Sequence, residues 1–214
     1  LSWTDPAKES GLDVTASFGG AIGTYIEKAC TTDDALKEQI DMVLEKTEAT
    51  GVDFDIEGAA IQDLDSAKRL ARVLKKVQDE NPDLRISLTL PVLPTGLTPD
   101  GEEIVKIMQD NGLENLQINP MTMDFGSAIA DMGEAVINAY QSLIKQIGNY
   151  SAAITPMIGV NDVAGETFTL KDAEAVTAEV PKDVPLSFWS VARDDKCNWA
   201  DEQSSQTKYL RGSR

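Results

Sequence analysis

The stretch Gly51-Val52-Asp53-Phe54-Asp55-Ile56-Glu57-Gly58 decides how this chain is read. Carboxylates take every second position, at Asp53, Asp55 and Glu57, with Val52, Phe54 and Ile56 between them. A period of two is that of a β-strand, so the three acids point to one side and the apolar residues to the other. Buried charge is costly unless it is paired or used, so a strand covered on both faces has no ordinary reason to carry three acids in a row. A strand inside a small parallel barrel meets the case. Its outer face packs on helices, and its inner face leads to a polar mouth where the strand ends. Taken alone, the three acids also fit a divalent-metal site or an acidic rim.

Working outward, the pattern alternates. Before the acidic strand, Leu36, Ile40, Val43 and Leu44 share one face of a helix over 31–50, capped by Thr32 or Asp33. Earlier still, 12–18 reads as a strand ended by Gly19-Gly20, and the short polar segment 1–11 as the tail of a helix. After the acidic strand, Leu64, Ala67, Leu70, Ala71, Leu74 and Val77 form the buried stripe of a helix over 63–80, stopped at Asn81-Pro82. Strands follow at 84–90, 116–126, 152–158 and 185–191, and helices at 102–111, 131–147 and 170–180. The two prolines of 91–97 predict a loop there. Six strands alternating with helices argue for a parallel α/β architecture. An open doubly wound sheet competes, but neither a Gly-x-Gly-x-x-Gly fingerprint nor a Walker loop is present.

Composition narrows the chemistry. The 214 residues suffice for one domain with a sizeable core, and 36 acidic against 19 basic residues give a net charge of −17. That charge argues against nucleic acid and against an anionic membrane surface as partners. There is no His, so Ser-His-Asp and Cys-His mechanisms and the usual zinc sites are excluded. Acid–base work falls to Asp, Glu, Lys or Tyr. Cys30 and Cys197 are too few for a metal cluster; they are either one disulfide of a secreted protein or two unrelated thiols. No apolar run reaches transmembrane length, and the sequence opens without a signal-peptide pattern.

The acidic strand resembles the catalytic strand of the family 18 glycoside hydrolases, the chitinase family, whose pattern is Asp-x-x-Asp-x-Asp-x-Glu. Asp53, Asp55 and Glu57 match its last three acids, and Thr50 stands where the first would be. Other segments resemble the family's motifs in order. Ser17-Phe18-Gly19-Gly20 is similar to its Ser-x-Gly-Gly. Met121-Thr122-Met123-Asp124 is similar to its Met-x-Tyr-Asp, with Met123 where many members have Tyr. Phe188-Trp189-Ser190 is similar to the end of its eighth strand. The segments 90–97 and 155–162 look like a bacterial and archaeal branch, and the resemblance runs from about residue 12 to 197.

The resemblance implies a TIM (β/α)8-type barrel with about six βα units in this chain, forming one catalytic domain over 1–214. Strands one and two of the barrel would then precede it. It implies hydrolysis of β-1,4 N-acetylglucosamine linkages of chitin, with retention, by substrate-assisted catalysis. Glu57 would be the general acid, its pKa raised with help from Asp55 and Asp53. Asp55 would hold the acetamido N–H, and Asp53 would share a proton with Asp55. Thr50 would lie deepest and furthest from the sugar. Asp124, Met123, Gln117, Gly19 and Gly20 would contact substrate, and Trp189 would stack beneath the sugar. The plainer readings are a loop-capping Asp124 and a core Trp189. Among Trp3, Tyr25, Trp199 and Tyr209, Tyr25 is best placed to stack on a sugar. No cofactor or metal is implied. The expected partner is chitin or a chito-oligosaccharide, and the expected state a secreted monomer. A chitinase-like binding protein without turnover, or an endo-β-N-acetylglucosaminidase, are the alternatives.

Overall fold

The apolar stripes read above become the buried faces of helices around a parallel sheet. The computed structural model describes residues 4–194. Trp3, Cys197, Trp199 and Tyr209 lie outside the described residues, and so does the question of a Cys30–Cys197 bond. In chain order the elements are α1 (Thr4–Glu9), β1 (Thr15–Gly19), α2 (Ile26–Ala29), α3 (Asp33–Thr47), β2 (Gly51–Asp55), a 3₁₀ turn (Gly58–Gln62), α4 (Leu64–Glu80), β3 (Arg85–Leu93), β4 (Gly96–Leu97) and α5 (Pro99–Asp110). Then follow β5 (Gln117–Met121), α6 (Met132–Gln146), β6 (Ser151–Ala152), β7 (Gly159–Val160), β8 (Thr167–Phe168) and α7 (Leu170–Glu179). The main sheet has the order β1-β2-β3-β5-β6, with β4 folded back on β3. No helix is long and apolar enough to cross a membrane among the described residues.

The described chain forms two compact units, one of 4–90, 99–118 and 149–151, the other of 91–98, 119–148 and 152–194. In the first, β1, β2 and β3 run parallel, and each second row of the register is apolar. Ala16, Val52 and Ile86 align in one row, and Phe18, Phe54 and Leu88 in the next. The Phe18 and Phe54 rings stack with centroids 5.2 Å apart. Val52, Phe54, Ile86 and Leu88 are buried, as are Leu70, Leu74 and Val77 of α4, Leu36 and Ile40 of α3, and Ile104 and Met108 of α5. Thr32 caps α3 by accepting the Ala35 N–H at 3.2 Å, and Asp63 caps α4 by accepting the Ser66 N–H at 3.2 Å. These caps fix where each helix leaves its strand.

In the second unit, α6 buries Val136, Ala139 and Leu143. A reciprocal capping box between Thr169 and Asp172 starts α7. Asp172 also accepts the Gly133 N–H of α6 at 3.1 Å, tying the two helices together.

Three expectations change. The segment 91–97 is not a plain loop: β3 runs on to Leu93 and turns back through Gly96, with Val92 opposite Leu97. Gly96 has φ +100, and a Cβ there would lie 2.2 Å from the Gln146 side chain that accepts the Leu97 N–H. The strand expected over 152–158 shortens to Ser151–Ala152, because Pro156 has no N–H to give a ladder. The last strand, 185–191, exists only as single parallel bridges, Ile154 to Leu186 and Met157 to Trp189. Its hydrogen bonds are nonetheless strand-like: Ser187 N–H to Ile154 C=O at 2.9 Å and Trp189 N–H to Pro156 C=O at 2.9 Å.

Candidate active site

The polar rows of the first unit build the site. The register sets Ser17, Asp53 and Ser87 side by side, and Gly19, Asp55 and Thr89 in the polar row beyond. Asp53 is 8% exposed and surrounded by hydroxyls. Its Oδ2 accepts from Ser17 at 2.8 Å, its Oδ1 from Ser87 at 2.5 Å, and Thr89 lies 3.0 Å from both oxygens. Burial pushes its carboxyl pKa up, and the hydroxyls pull the other way. Sequence reading missed this ring of Ser17, Ser87 and Thr89. The signal was there: each sits on the polar phase of its strand.

Asp55 comes next along β2. Its carboxyl pKa is pushed up to about 7, by burial first and then by the charges of Glu57 and Asp53. Asp53 therefore acts on Asp55 through charge, while its own oxygens are held by hydroxyls. The Asp55 Oδ1 is buried without a hydrogen-bond partner. An unpartnered buried acceptor is costly unless a bound group completes it.

Glu57 stands where the chain leaves the sheet, after Ile56 N–H donates to Thr89 C=O at 3.0 Å. Its pKa is also raised, but burial is the cause, and the Ala21 backbone N–H opposes it. Asp55 and Glu57 are like charges in one site, and their mutual repulsion stands second to burial among the causes that raise Asp55. The expectation that Thr50 lies deepest is corrected. The residue is not deep in the site but exposed at the start of β2, where Arg85 donates to its hydroxyl at 2.9 Å.

Gly19 and Gly20 form the floor beside these acids. Gly19 has φ +96, and a Cβ on it would fall 2.2 Å from the Asp55 carbonyl oxygen. Gly20 has φ +84, donates its N–H to that same carbonyl at 3.0 Å, and would bring a Cβ 3.5 Å from Asp55 Oδ2. Both the backbone angle and the space exclude a side chain at Gly19. Gly19→Ala is expected to destabilise the fold by roughly 2–4 kcal/mol, read as a drop in the urea midpoint. An unchanged midpoint would refute this account of the floor.

Tyr25 does not present a free hydroxyl. The group reaches Glu57 C=O at 3.1 Å and Gly20 C=O at 3.3 Å, and lies 3.4 Å from the Glu57 N–H. Gln117 is half-buried on β5, on the same strand face as Asn119 and Met121.

The second unit holds the remaining candidates. Asp124 has φ +49, and its Oδ1 accepts the Val163 N–H at 2.9 Å, so one carboxylate oxygen caps a loop, as the plainer reading expected. Asn161 Oδ1 accepts the Asp124 N–H at 3.4 Å. Met123 is half-buried. Trp189 is 56% exposed, which rules out the core reading, and the peptide after it is cis. Sequence reading passed over Glu166, which is fully buried near Asp124. Burial raises its pKa, and the backbone N–H groups of Phe125, Asp124 and Gly126 oppose the shift without closing hydrogen bonds of full geometry. Asn119, Thr155 and Ser187 join in a polar chain with both links at 2.5 Å.

No group of three or more His, Cys, Asp or Glu side chains that could hold a metal ion occurs among the described residues. The arrangement offers one carboxyl group, Asp55, with its pKa pushed up to about 7 and one buried oxygen unfilled, beside Glu57, whose pKa burial raises.

No family model matches the chain. It is 36% identical over 213 residues to the probable bifunctional chitinase/lysozyme of Escherichia coli K12, covering 87% of this chain and 24% of that protein. It is also 36% identical to Endochitinase 11 of Metarhizium anisopliae, over 87% of this chain and 41% of that protein. The chain thus spans less than half the length of these relatives. The solved catalytic domain of the hyperthermophilic chitinase from Pyrococcus furiosus is similar at TM-score 0.78 and 32% identity, over 90% of this chain and 67% of that one. With the acidic strand, its glycine floor and this likeness together, the chain belongs to the family 18 glycoside hydrolases, the chitinases, and its parallel α/β architecture is of their TIM-barrel type.

Proposed function

We propose that the chain hydrolyses β-1,4 N-acetylglucosamine linkages of chitin and chito-oligosaccharides, retaining the anomeric configuration. The observation that carries this reading is the Asp55 carboxyl, held protonated up to about pH 7 beside Glu57, with a buried oxygen lacking a partner. That oxygen has the character needed to accept an acetamido N–H. The substrate's acetamido oxygen then attacks the anomeric carbon while Glu57 gives its proton to the departing glycosidic oxygen. The products of this step are the shortened sugar chain and a cyclic oxazolinium ion. Glu57, now a carboxylate, takes a proton from water, whose oxygen opens the ring from the same face. The anomeric configuration is thereby retained and Glu57 is reprotonated. Asp53 keeps a negative charge or a shared proton behind Asp55, within its hydroxyl ring.

The roles of Asp124, Met123, Gln117 and Trp189 as sugar contacts rest on the resemblance of their segments. The exposed indole of Trp189 supports a stacking surface. Gly19 and Gly20 serve by leaving room. We also place the working protein outside the cell, since chitin is an insoluble polymer, and as a monomer.

The test is incubation of this chain with chitohexaose, following products by chromatography and the new anomeric centre by proton NMR. β-Anomers appearing first support the proposal. Binding without cleavage would favour a lectin-like protein, and α-anomers appearing first would exclude the retaining mechanism.

A further inference from the structure

The segment after Gly19 grips Glu57 at three points. The Ala21 N–H faces its carboxylate. The Tyr25 hydroxyl donates to the Glu57 carbonyl at 3.1 Å, with the Gly20 carbonyl as its alternative acceptor at 3.3 Å. The same hydroxyl oxygen faces the Glu57 N–H at 3.4 Å.

Glu57 needs such a grip because of where it sits. β2 ends at Asp55, and the last ladder bond is made by Ile56. Glu57 then has φ −139 and ψ 176, extended, just ahead of the 3₁₀ turn, and its side chain makes no cap bond to that turn. Its carbonyl accepts the Ala60 N–H at 3.1 Å as the turn begins, while its N–H has left the sheet ladder and faces the Tyr25 hydroxyl at 3.4 Å. One turn bond leaves the N–H side of this residue to be held by what lies across from it.

The Tyr25 ring fills that place. Tyr25 stands at the head of α2, and its Cε1 lies 3.2 Å from where a Gly19 Cβ would be. The missing side chain at Gly19 therefore admits the ring as well as the Asp55 backbone. A tyrosine is required for both functions, since phenylalanine would fill the space but could neither donate nor accept.

We propose that Tyr25 is a positioning residue for Glu57: its hydroxyl clamps the acid's backbone to the Gly20–Tyr25 segment and so fixes where the carboxyl presents its proton. This differs from a sugar-stacking role, since the clamp acts through the hydroxyl and the backbone. It rests on the reading of Glu57 as the general acid. The titratable groups around the clamp are Asp55, Asp53, Glu27 and Tyr25 itself, and each carries a raised pKa with burial as the first cause.

The experiment compares wild type with Tyr25→Phe in this chain. It measures kcat and KM on chitohexaose, the melting temperature, and the Glu57 titration by carbon NMR of labelled carboxyl groups. The expected result is a fall in kcat of about tenfold with KM within about twofold, because geometry and not binding is lost. The Glu57 titration should also move toward the ordinary glutamate value as water reaches a loosened carboxyl. If wild type cleaves and Tyr25→Phe matches it in kcat and titration, the clamp has no positioning role. If the loss is in KM alone, Tyr25 is a sugar contact and the inference is wrong. If wild type does not cleave yet the Glu57 titration still moves, the proposed activity fails and the clamp stands. If it neither cleaves nor shows a moved titration, both fail.

Discussion

Glu57→Gln is expected to lose about a thousandfold in kcat while still binding chito-oligosaccharide. The argument is local. Gln keeps the size of the side chain and can still accept the Ala21 N–H, so the extended backbone at this position is not disturbed. What it lacks is a proton to give and a lone pair basic enough to take one back. Both halves of the proposed reaction use that proton, so neither the departure of the sugar nor the attack of water is assisted. Because burial already favours the neutral form of Glu57, replacing it with a neutral amide should not lower stability. The melting temperature near neutral pH should match or slightly exceed that of wild type. Turnover of chitohexaose and binding of chitotetraose by calorimetry check the two halves separately. A variant that keeps a tenth of the activity would mean that another group is the acid.

The wild-type pH profile should carry the same signature. Glu57 must hold its proton to act first as acid, so kcat/KM should fall as pH rises through its raised pKa. The loss should begin above the pH at which an ordinary surface glutamate ionises.

Much of this site was legible in residue order. The period-two spacing of Asp53, Asp55 and Glu57 required a strand with one acidic face, and β2 is that strand. The stripe of Leu70, Leu74 and Val77 required a helix buried on one side, and α4 begins within one residue of the expected start. These features were readable because backbone geometry imposes a fixed period on side chains. What escaped was set by contacts across strands. The hydroxyls around Asp53 come from β1 and β3, and only the register brings Ser17 and Ser87 to the same row. Burial is the first cause of the raised Glu57 pKa, and burial depends on the packed structure. The strand ends at 152–158 and 185–191 escaped for a related reason. An apolar run signals β structure, but Pro156 and Pro185 thin out the ladder that defines a strand. The hairpin at 91–97 was hidden because prolines spell a turn as readily as they punctuate a strand, and β3 simply continues through Pro91.

The second large effect concerns Asp55, where stability and activity should move in opposite directions. Its ordinary pKa is 3.8, and in the folded chain it is pushed up to about 7, by burial first and by Glu57 and Asp53 after that. Between these two values the unfolded chain gives up a proton that the folded chain keeps. Folding stability from this group is therefore fully present below about pH 4 and is lost as pH rises through about 7. Asn carries no such dependence. Asp55→Asn should match wild type near pH 4 and exceed it near pH 8, by about 1–3 kcal/mol once solvent screening of a partly exposed group is allowed for. Activity should fall by about 10²–10³-fold over the same range, because an amide oxygen is a far weaker partner for the developing positive charge of the cyclic intermediate. Calorimetric melting at the two pH values, beside turnover, checks both signs. An Asp55→Asn protein less stable than wild type at pH 8 would mean that Asp55 is held as a carboxylate by some donor, and the unfilled buried oxygen could not then be the seat of the acetamido N–H. A more stable, inactive protein would show that this carboxyl is kept at a cost to the fold, as expected of a group placed for its chemistry.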